Sequence, residues 1–321
     1  MTDPVQIAVM RSAQGGDPTN QVAGYLHPGY AESLAAWGQP RLLPRSGAWI
    51  LERPIPGRPE RDAMGCYPIF FCRNWSALGA DLEELTNLVS LVVVTDPFAP
   101  ATPSTLATSF DRVVEFKQHF VTDLTQPVTS IVSKAHRATV RRALRQVRVE
   151  VEPEPWKRLE EWLALYQVLC TRHVIGGLRA FSRQAFVQQL SLPGLVMFRA
   201  VADGDKTVGL DLWYVQGDVA YGHLAACNDQ GYALRASYAT KWHMLNHFHG
   251  KVHWVHLAGS AGAAAARNDG LAAFKRGWST GTKPSYLCGR VFNQAAYDVI
   301  CRDRGVGQTP YFPAYRVGEF A

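Results

Sequence analysis

The sequence predicts a mixed α/β protein of two tandem domains, each built on a mostly antiparallel mixed sheet flanked by helices. The chain has 321 residues, which is too long for one ordinary hydrophobic core and suits two domains of about 150 residues each. Its hydrophobic fraction of 47% is typical of a folded globular protein. Strand-like segments fall into two sets around a helical region, and we therefore assign the domains to residues 1–150 and 151–321. Residues 1–24 carry no periodicity, and we expect them to form an irregular N-terminal lead-in to the first domain.

The clearest pattern lies between residues 195 and 257. Side chains alternate between apolar and polar over residues 208–215 and again over residues 219–226, which predicts an antiparallel hairpin. Residues 235–249 place apolar side chains at intervals of three or four, which predicts a helix that ends at Gly250. One further strand is predicted before the hairpin and one after the helix.

This order of three antiparallel strands, a helix and one further strand resembles the core of the GNAT acyltransferases. Downstream, the segment Asn268-Asp-Gly-Leu-Ala-Ala-Phe-Lys-Arg-Gly-Trp278 resembles the short helix, with its Phe-Lys pair, of the Fem peptidyltransferases and their acetyltransferase-like relatives. The likeness extends to residues 116–120 and to the basic segment 133–148. It implies two GNAT-like domains and the transfer of an acyl or aminoacyl group.

The first domain is predicted from less regular segments. Residues 48–54 and 66–72 read as strands, and residues 88–95 are apolar on both faces, as expected for a buried strand. Phe116-Lys117 followed by Phe120 recurs about half a chain later as Phe274-Lys275 followed by Trp278. This echo favours an internal duplication, although so short a match also arises by chance.

A row of arginines is the strongest charge feature of the sequence. Ser133 is a suitable N-cap for a helix that runs to about Gln146. Arg137, Arg141 and Arg145 recur every four residues and therefore share one face of that helix. Such a row can bind phosphates, and these arginines are candidate nucleic-acid contacts, but a solvated face paired with nearby acids explains the same pattern.

Charge, cysteine spacing and the lengths of apolar stretches indicate which kinds of ligand, metal site and cellular location suit this sequence. The chain has 33 Lys plus Arg against 27 Asp plus Glu, a net charge of +6, which suits either a polyanionic ligand or a solvated basic surface. Its six cysteines form no C-x-x-C pair, so we expect reduced thiols and no metal site. Because no long apolar stretch or signal-like N-terminus is present, the sequence predicts a cytoplasmic protein without a membrane span.

The resemblance to GNAT proteins implies where an activated donor would bind. In that family the donor phosphates meet the amides that begin the helix after the fourth strand, where the helix dipole favours anions. The family's loop has Gln or Arg, two residues, Gly, one residue, and Gly or Ala. Here Asn228, Gly231 and Ala233 match the spacing, with Arg235 and Ser237 at the start of the next helix. An ordinary strand-to-helix turn has similar residues.

The resemblance to the Fem proteins also implies a catalytic cation. The matching lysine of that family acts near the aminoacyl ester, so Lys275 would stabilise the oxyanion that forms when an amine attacks, while Phe274 packs beside it. His223, Asp211 and His256 are candidate proton acceptors or relays in the predicted strands. Each is equally explained as a hydrogen-bonded residue of the sheet.

We therefore expect an N-acyltransferase that needs no tightly bound cofactor. It would transfer an aminoacyl or acyl group to an amine of a small molecule or peptide, mainly by positioning and oxyanion stabilisation. The Phe-Lys pair and the arginine row favour aminoacyl-tRNA as the donor, and the loop spacing favours an acyl-CoA such as acetyl-CoA. A non-catalytic RNA-binding protein on the same fold is the third hypothesis, because a fold alone does not fix function.

Overall fold

The computed structural model describes residues 22–259 and 270–319. Its strands are β1 (Gln39–Leu43), β2 (Ala48–Pro54), β3 (Arg61–Gly65), β4 (Leu88–Val94), β5 (Arg112–Asp123), β6 (Arg148–Glu152), β7 (Leu195–Ala202), β8 (Lys206–Gln216), β9 (Val219–Cys227), β10 (Trp254–Gly259) and β11 (Gly281–Val291). Its α-helices are α1 (Pro28–Ser33), α2 (Leu78–Glu83), α3 (Pro103–Leu106), α4 (Val128–Ile131), α5 (Lys134–Ala143), α6 (Leu159–His173), α7 (Arg183–Gln189), α8 (Asp229–Ala233), α9 (Ala236–Phe248), α10 (Gly270–Arg276) and α11 (Gln294–Asp303). Most of the predicted N-terminal lead-in lies outside the described residues. Asn268, which begins the Fem-like segment, also lies outside them.

The chain divides into two compact units, and neither is a continuous stretch of sequence. Unit 1 comprises the described residues of Met1–His27, Phe120–Ile175 and Ser182–Thr282. Unit 2 comprises the described residues of Pro28–His119, Gly176–Phe181 and Lys283–Ala321. The predicted boundary at residue 150 therefore falls inside unit 1. The difference arises because β5 and β11 each contribute residues to both units, which hydrophobic patterning along the chain does not indicate.

Unit 1 contains the elements that the sequence predicts most clearly. Strands β6, β7, β8 and β9 form consecutive antiparallel pairs, and β9 pairs with β10 in parallel. Helix α9 connects β9 to β10, as a parallel pair requires a crossover. The core of this unit includes the buried rings of Phe198, Trp213, Phe248 and Trp278. The predicted hairpin, helix and flanking strands are confirmed to within a few residues at each end.

Unit 2 is also a mixed sheet flanked by helices. Strands β1, β2 and β3 form antiparallel pairs, β3 and β4 are parallel, and β4 and β11 are antiparallel. The predicted strand at residues 66–72 is wrong, because β3 ends at Gly65 and the chain then makes only an isolated bridge at Phe70. Pro68 removes one ladder donor in that segment, in agreement with its irregular backbone.

The repeated Phe-Lys pattern is not a structural repeat. Phe116 and Lys117 lie in strand β5, whereas Phe274 and Lys275 lie in helix α10. The two pairs therefore occupy different backbone conformations, and the short sequence echo carries no information about duplication. Both units nevertheless have the mixed α/β architecture, and in each an antiparallel set of strands is followed by a parallel strand pair joined through a helix.

Candidate functional site

Strands β9 and β10 separate at one end of the unit 1 sheet. Their parallel pairing ends at Tyr221 with His256, whereas β9 continues beside β8 as far as Cys227. The β8–β9 ladder contains a bulge at His223, where its register shifts. Bulges of this kind are frequent next to ligand sites because they end pairing and redirect side chains. We call the region where the two strands part the β9–β10 opening.

The predicted donor loop is a closed helical turn. The side chain of Asn228 caps α8, and its Oδ1 accepts a hydrogen bond of 2.8 Å from the amide of Gly231. A Cβ added at Gly231 would lie 2.1 Å from the carbonyl oxygen of Val208, so the turn packs directly on β8. The amide of Tyr238 donates to the carbonyl of Arg235 at 3.0 Å. Several amides that a phosphate would need therefore already have acceptors inside the protein.

The remaining predicted donor-binding residues lie at the start of α9. Ala233 ends α8 and is exposed, and Arg235 has a left-handed backbone with φ of 58° and an exposed side chain. Ser237 lies in the first turn of α9 and is half-buried. The structure thus brings the five predicted residues into one short region without forming an open loop.

An aromatic cluster attaches the Phe-Lys pair to the start of α9. The Phe274 ring lies edge-to-face against Tyr238, with 5.0 Å between centroids, and near Trp278 at 5.9 Å. The imidazole of His136 on α5 contacts all three rings, and its Nε2 lies 2.9 Å from the carbonyl oxygen of Phe274. The cluster fixes α10 against α5 and α9. His136 and Tyr238 were not predicted, because only folding brings them to Phe274.

The ammonium of Lys275 is held at the end of β10. Its Nζ donates a hydrogen bond of 2.6 Å to the carbonyl oxygen of Gly259, the last residue of that strand, and the side chain is half-buried. Since β10 runs away from β9 beyond His256, this cation lies on the β10 side of the β9–β10 opening. The predicted catalytic lysine and the predicted donor-binding region therefore belong to neighbouring elements.

Asp211 belongs to a buried ion pair on the α9 face of the sheet. Its Oδ2 lies 2.7 Å from Nζ of Lys241, and that ammonium lies 4.5 Å from the centroid of Trp213. Lys241 was not predicted, although it follows Ser237 by one turn of α9 and therefore shares its face. A carboxylate already paired with a cation inside the protein is a stabilised charge rather than an available proton acceptor.

His223 lies on the other face of the sheet from Asp211. Its ring contacts Tyr214, the neighbour of Trp213 in β8, and successive side chains of a strand point to opposite faces. Nδ1 lies 3.1 Å from the hydroxyl of Tyr25, and Nε2 lies 3.2 Å from Oε1 of Gln189. Desolvation by burial lowers the pKa of His223 to about 3. A neutral imidazole with so low a pKa accepts protons poorly near neutral pH.

His256 is also placed as a sheet residue. It is buried, and its ring lies edge-to-face against Tyr221 with 5.3 Å between centroids. The three candidate bases therefore do not gather in one place, since Asp211 lies on the face that α9 covers and His223 on the opposite one.

The predicted arginine row separates into two kinds of residue. Arg137 donates to the carbonyl oxygens of Thr129 and Val132 and thereby holds the end of α4. Arg141 and Arg145 are exposed, and Arg145 follows the end of α5 rather than continuing it. Arg145 lines an open groove of about 580 Å³ that also includes Trp242.

Within residues 22–259 and 270–319, no three His, Cys, Asp or Glu side chains gather in a way that would hold a metal ion. None of the described helices is both long and apolar enough to cross a membrane.

Comparison with known structures identifies the fold. The protein matches FemX with a TM-score of 0.65 at 13% sequence identity, over 94% of this chain and 99% of FemX. It matches the C-terminal domain of a protein described as a lysylphosphatidylglycerol synthetase from Agrobacterium fabrum with a TM-score of 0.57 at 17% identity, over 84% of this chain and 87% of that domain. For L-PGS from Bacillus licheniformis the TM-score is 0.56 at 13% identity, over 90% and 100% of the two chains.

These similarities establish the fold alone. No protein-family model and no curated protein matches the sequence. The Fem-like, GNAT-related fold that the sequence predicts is confirmed.

Proposed function

We propose that this protein is an N-acyltransferase that moves an aminoacyl group from an aminoacyl-tRNA to an amine. The observation that carries the proposal is the position of the Lys275 ammonium, fixed by the Gly259 carbonyl at 2.6 Å beside the β9–β10 opening of a Fem-like fold. A fixed cation at the place where a carbonyl reacts can stabilise negative charge in the transition state without reorganisation.

The proposed transfer requires no covalent intermediate with the enzyme, because the amine attacks the ester directly. The amine nitrogen forms a bond to the ester carbonyl carbon, the carbonyl oxygen becomes an oxyanion near Lys275, and the ester C–O bond then breaks. The proton lost by the amine leaves with the released tRNA hydroxyl. His223 is a poor candidate for carrying that proton because its pKa is about 3, so positioning and charge stabilisation would supply most of the rate.

Two observations favour an aminoacyl ester over an acyl-CoA as donor. The amide of Gly231 is satisfied by Asn228 at 2.8 Å, and this leaves one donor fewer for a pyrophosphate than an open loop would offer. In addition, lysylphosphatidylglycerol synthetase is by its name a protein that makes an aminoacylated product. The exposed Arg141 and Arg145 are suitable contacts for the tRNA backbone.

A transfer assay with two donors tests the proposal. Purified protein is incubated with tRNA carrying radiolabelled amino acids, or with radiolabelled acetyl-CoA, and with a panel of amines that includes diamines and peptides ending in lysine. We expect label to move from tRNA into a product that survives mild alkali, because amides resist conditions that cleave esters.

Two other outcomes of this assay would favour the alternative functions. Transfer from acetyl-CoA alone would replace the donor and restore the phosphate-loop interpretation of residues 228–233. Binding of tRNA without transfer from either donor would favour the RNA-binding hypothesis instead.

A further inference from the structure

A groove in unit 1 opens beside the end of helix α5. It has a volume of about 580 Å³, and its walls come from the turn after α5, the start of β6, the end of β7 and the middle of α9. Within the described residues β6 pairs with β7 alone. The groove therefore lies at an edge of the sheet, where a long ligand can bind without displacing a strand.

Trp242 of α9 supplies the groove with an aromatic surface. Its side chain packs against the core of unit 1 and is half-buried, so part of it remains accessible. The next residue, His243, also lines the groove, and its ring lies edge-to-face on Phe198 with 5.8 Å between centroids. Burial lowers the pKa of His243, which favours the neutral imidazole. Leu144, which is 44% exposed, adds an apolar side chain.

Three arginines without acidic partners lie beside these surfaces. Arg141 and Arg142 are in the last turn of α5, Arg145 is in the turn after it, and all three are exposed. In the described part of the chain, no carboxylate forms an ion pair with any of them, and Arg145 lines the groove itself. The dipole of α5 explains why cations suit its last turn, but it does not explain the aromatic surface next to them.

The acidic side chains around the groove have partners within the protein. Arg148 also lines the groove, but it pairs with Glu150 and, at 3.3 Å, with Asp205. Among the described lining residues the one acid is Asp203, and its Oδ2 lies 2.5 Å from Nε2 of Gln230. The charge that remains comes mainly from the three unpaired arginines. It is positive and therefore favours an anionic occupant.

Helix α5 connects the groove to the Phe-Lys pair. Near the start of this helix, Nε2 of His136 lies 2.9 Å from the carbonyl oxygen of Phe274. After its end, Leu144 lines the groove. Because eight helical positions separate His136 from Leu144, the two places are about 12 Å apart at a rise of about 1.5 Å per residue. Stacked nucleotides advance by about 3.4 Å each, so about three or four of them span that distance.

We propose that this groove binds the unpaired nucleotides at the 3′ end of an RNA donor, with a base stacked on Trp242 and phosphates beside Arg141 and Arg145. Single-stranded nucleic acids are bound by such combinations of aromatic surfaces and cations, because every base has a π-face and every nucleotide a phosphate. The neutral ring of His243 is suited to exchange hydrogen bonds with a base edge. An acidic peptide would also pair with the arginines, but it would not use the flat face of Trp242.

This inference rests on the proposed function, since it takes aminoacyl-tRNA as the donor, but RNA binding is measurable without any acyl transfer. Two fluorescent RNA hairpins test it on the full-length protein. One ends in an unpaired ACCA at its 3′ end, the other has the same stem with a blunt end, and neither carries an amino acid. We expect the unpaired end to strengthen binding by about tenfold or more, as for at least one stacked base.

Variants of Trp242 locate that preference in the groove. Trp242→Ala should remove it, whereas Trp242→Phe, which keeps an aromatic face, should retain most of it. Leu144→Glu places a negative charge at an exposed position of the groove and should also weaken binding of the unpaired hairpin. Trp37→Ala is the matched control, because Trp37 is a half-buried tryptophan of unit 2. Thermal melting of each variant establishes that it remains folded.

Salt dependence separates the base contact from the phosphate contacts. Trp242→Ala should weaken binding of the unpaired hairpin by about the same factor at every salt concentration, because a base contact releases no counterions. A change in salt slope equal to that of an arginine variant would instead show that Trp242 only positions the arginines, and the stacking proposal would fail.

Other outcomes overturn the proposal outright. It fails if the two hairpins bind the parent protein equally, or if folded Trp242→Ala and Leu144→Glu both keep the preference for the unpaired end. It also fails if Trp242→Ala loses affinity for a polyglutamate peptide and not for the unpaired hairpin, which would assign the groove to acidic peptides. Transfer from aminoacyl-tRNA with equal binding of the two hairpins refutes the groove alone. A preference that depends on Trp242, without transfer from either donor, refutes the proposed function alone.

Discussion

Oδ2 of Asp211 lies 2.7 Å from Nζ of Lys241, and the same ammonium lies 4.5 Å from the centroid of Trp213. The carboxylate is only 2% exposed, so its charge depends on this one close cation. Helix α9 supplies Lys241, and strand β8 supplies both Asp211 and Trp213. The pair therefore joins the helix that begins beside the donor region to the centre of the unit 1 sheet.

Replacing Lys241 with Met should destabilise the protein by about 3 kcal/mol, because it leaves the buried carboxylate of Asp211 uncompensated. The double variant Asp211→Asn with Lys241→Met should recover much of that loss, since it removes both charges. Urea unfolding near neutral pH measures both effects. Lys206→Met, at an exposed position, should change the free energy of unfolding by less than about 0.5 kcal/mol. Equal losses in the single and double variants would show that the pair is not coupled.

His223 should make the folded state sensitive to acid. Its pKa is lowered from 6.5 to about 3 in the folded protein, so in the unfolded chain the imidazole binds a proton that the folded state excludes. The stability associated with His223 is therefore fully present above about pH 6.5 and is lost as the pH falls from about 6.5 toward about 3. His223→Gln should show a smaller fall in urea midpoint than the parent protein between about pH 7 and about pH 5.

Exposed His249 supplies the control for this measurement, because its side chain is solvated. His249→Gln should retain the parent protein's fall in midpoint. If His223→Gln also retains it, then His223 is not the group that excludes the proton.

Sequence patterns predicted the elements of unit 1 well because their signals are local. The hairpin of β8 and β9 follows from alternating side chains and a short polar turn, and α9 follows from its apolar periodicity. The boundary between units was not predictable in this way, since β11 joins β4 of unit 2 only through long-range pairing. The strand predicted at residues 66–72 is wrong because apolar residues in this segment are buried without pairing regularly with a neighbouring strand.

The candidate site was predictable in part. The Phe274 and Lys275 pair was found from its resemblance to a family motif, but Lys241 and His136 were not, because nothing in the sequence indicates that they meet Asp211 and Phe274. Arg137 was misleading in a similar way. Its spacing places it in a row with Arg141, whereas the end of α4 supplies the carbonyls that bind it.

Gly277 should tolerate no side chain. A Cβ at this position would lie 2.3 Å from ring atoms of His136, so Gly277→Ala must displace the imidazole that joins α5 to the aromatic cluster. We expect a loss of about 1–3 kcal/mol in the free energy of unfolding, as for other overpacked sites. Gly281→Ala is the matched control, because an added Cβ there meets no atom within 4 Å. Equal stability of the two variants would mean that the ring moves aside without cost.

The exposed arginines should matter for tRNA and not for folding. Replacing Arg141 and Arg145 together with Ala should weaken tRNA binding and reduce the slope of log affinity against log salt by about 1.5, as expected when two phosphate contacts are lost. Filter binding at several salt concentrations measures both quantities. An unchanged slope in the folded double variant would leave these arginines as part of a solvated face.

Arg137→Ala provides the contrast within the same row. Because Arg137 donates to the carbonyls of Thr129 and Val132, its loss should lower the free energy of unfolding by about 1–2 kcal/mol. The salt slope for tRNA binding should stay near that of the parent protein. A reduced slope with unchanged stability would instead return Arg137 to the nucleic-acid interface.

Lys275→Met should separate chemistry from packing at the candidate site. Methionine keeps much of the side-chain volume but removes both the charge and the hydrogen bond to the Gly259 carbonyl. If the ammonium stabilises a developing oxyanion, single-turnover transfer at saturating donor should fall by about two to three orders of magnitude. Donor affinity should change far less, since binding and transition-state stabilisation are distinct quantities. Thermal melting and the Lys206→Met variant control for effects on folding. Normal turnover would remove Lys275 from the mechanism, and a loss confined to donor affinity would make it an anchor for the donor instead.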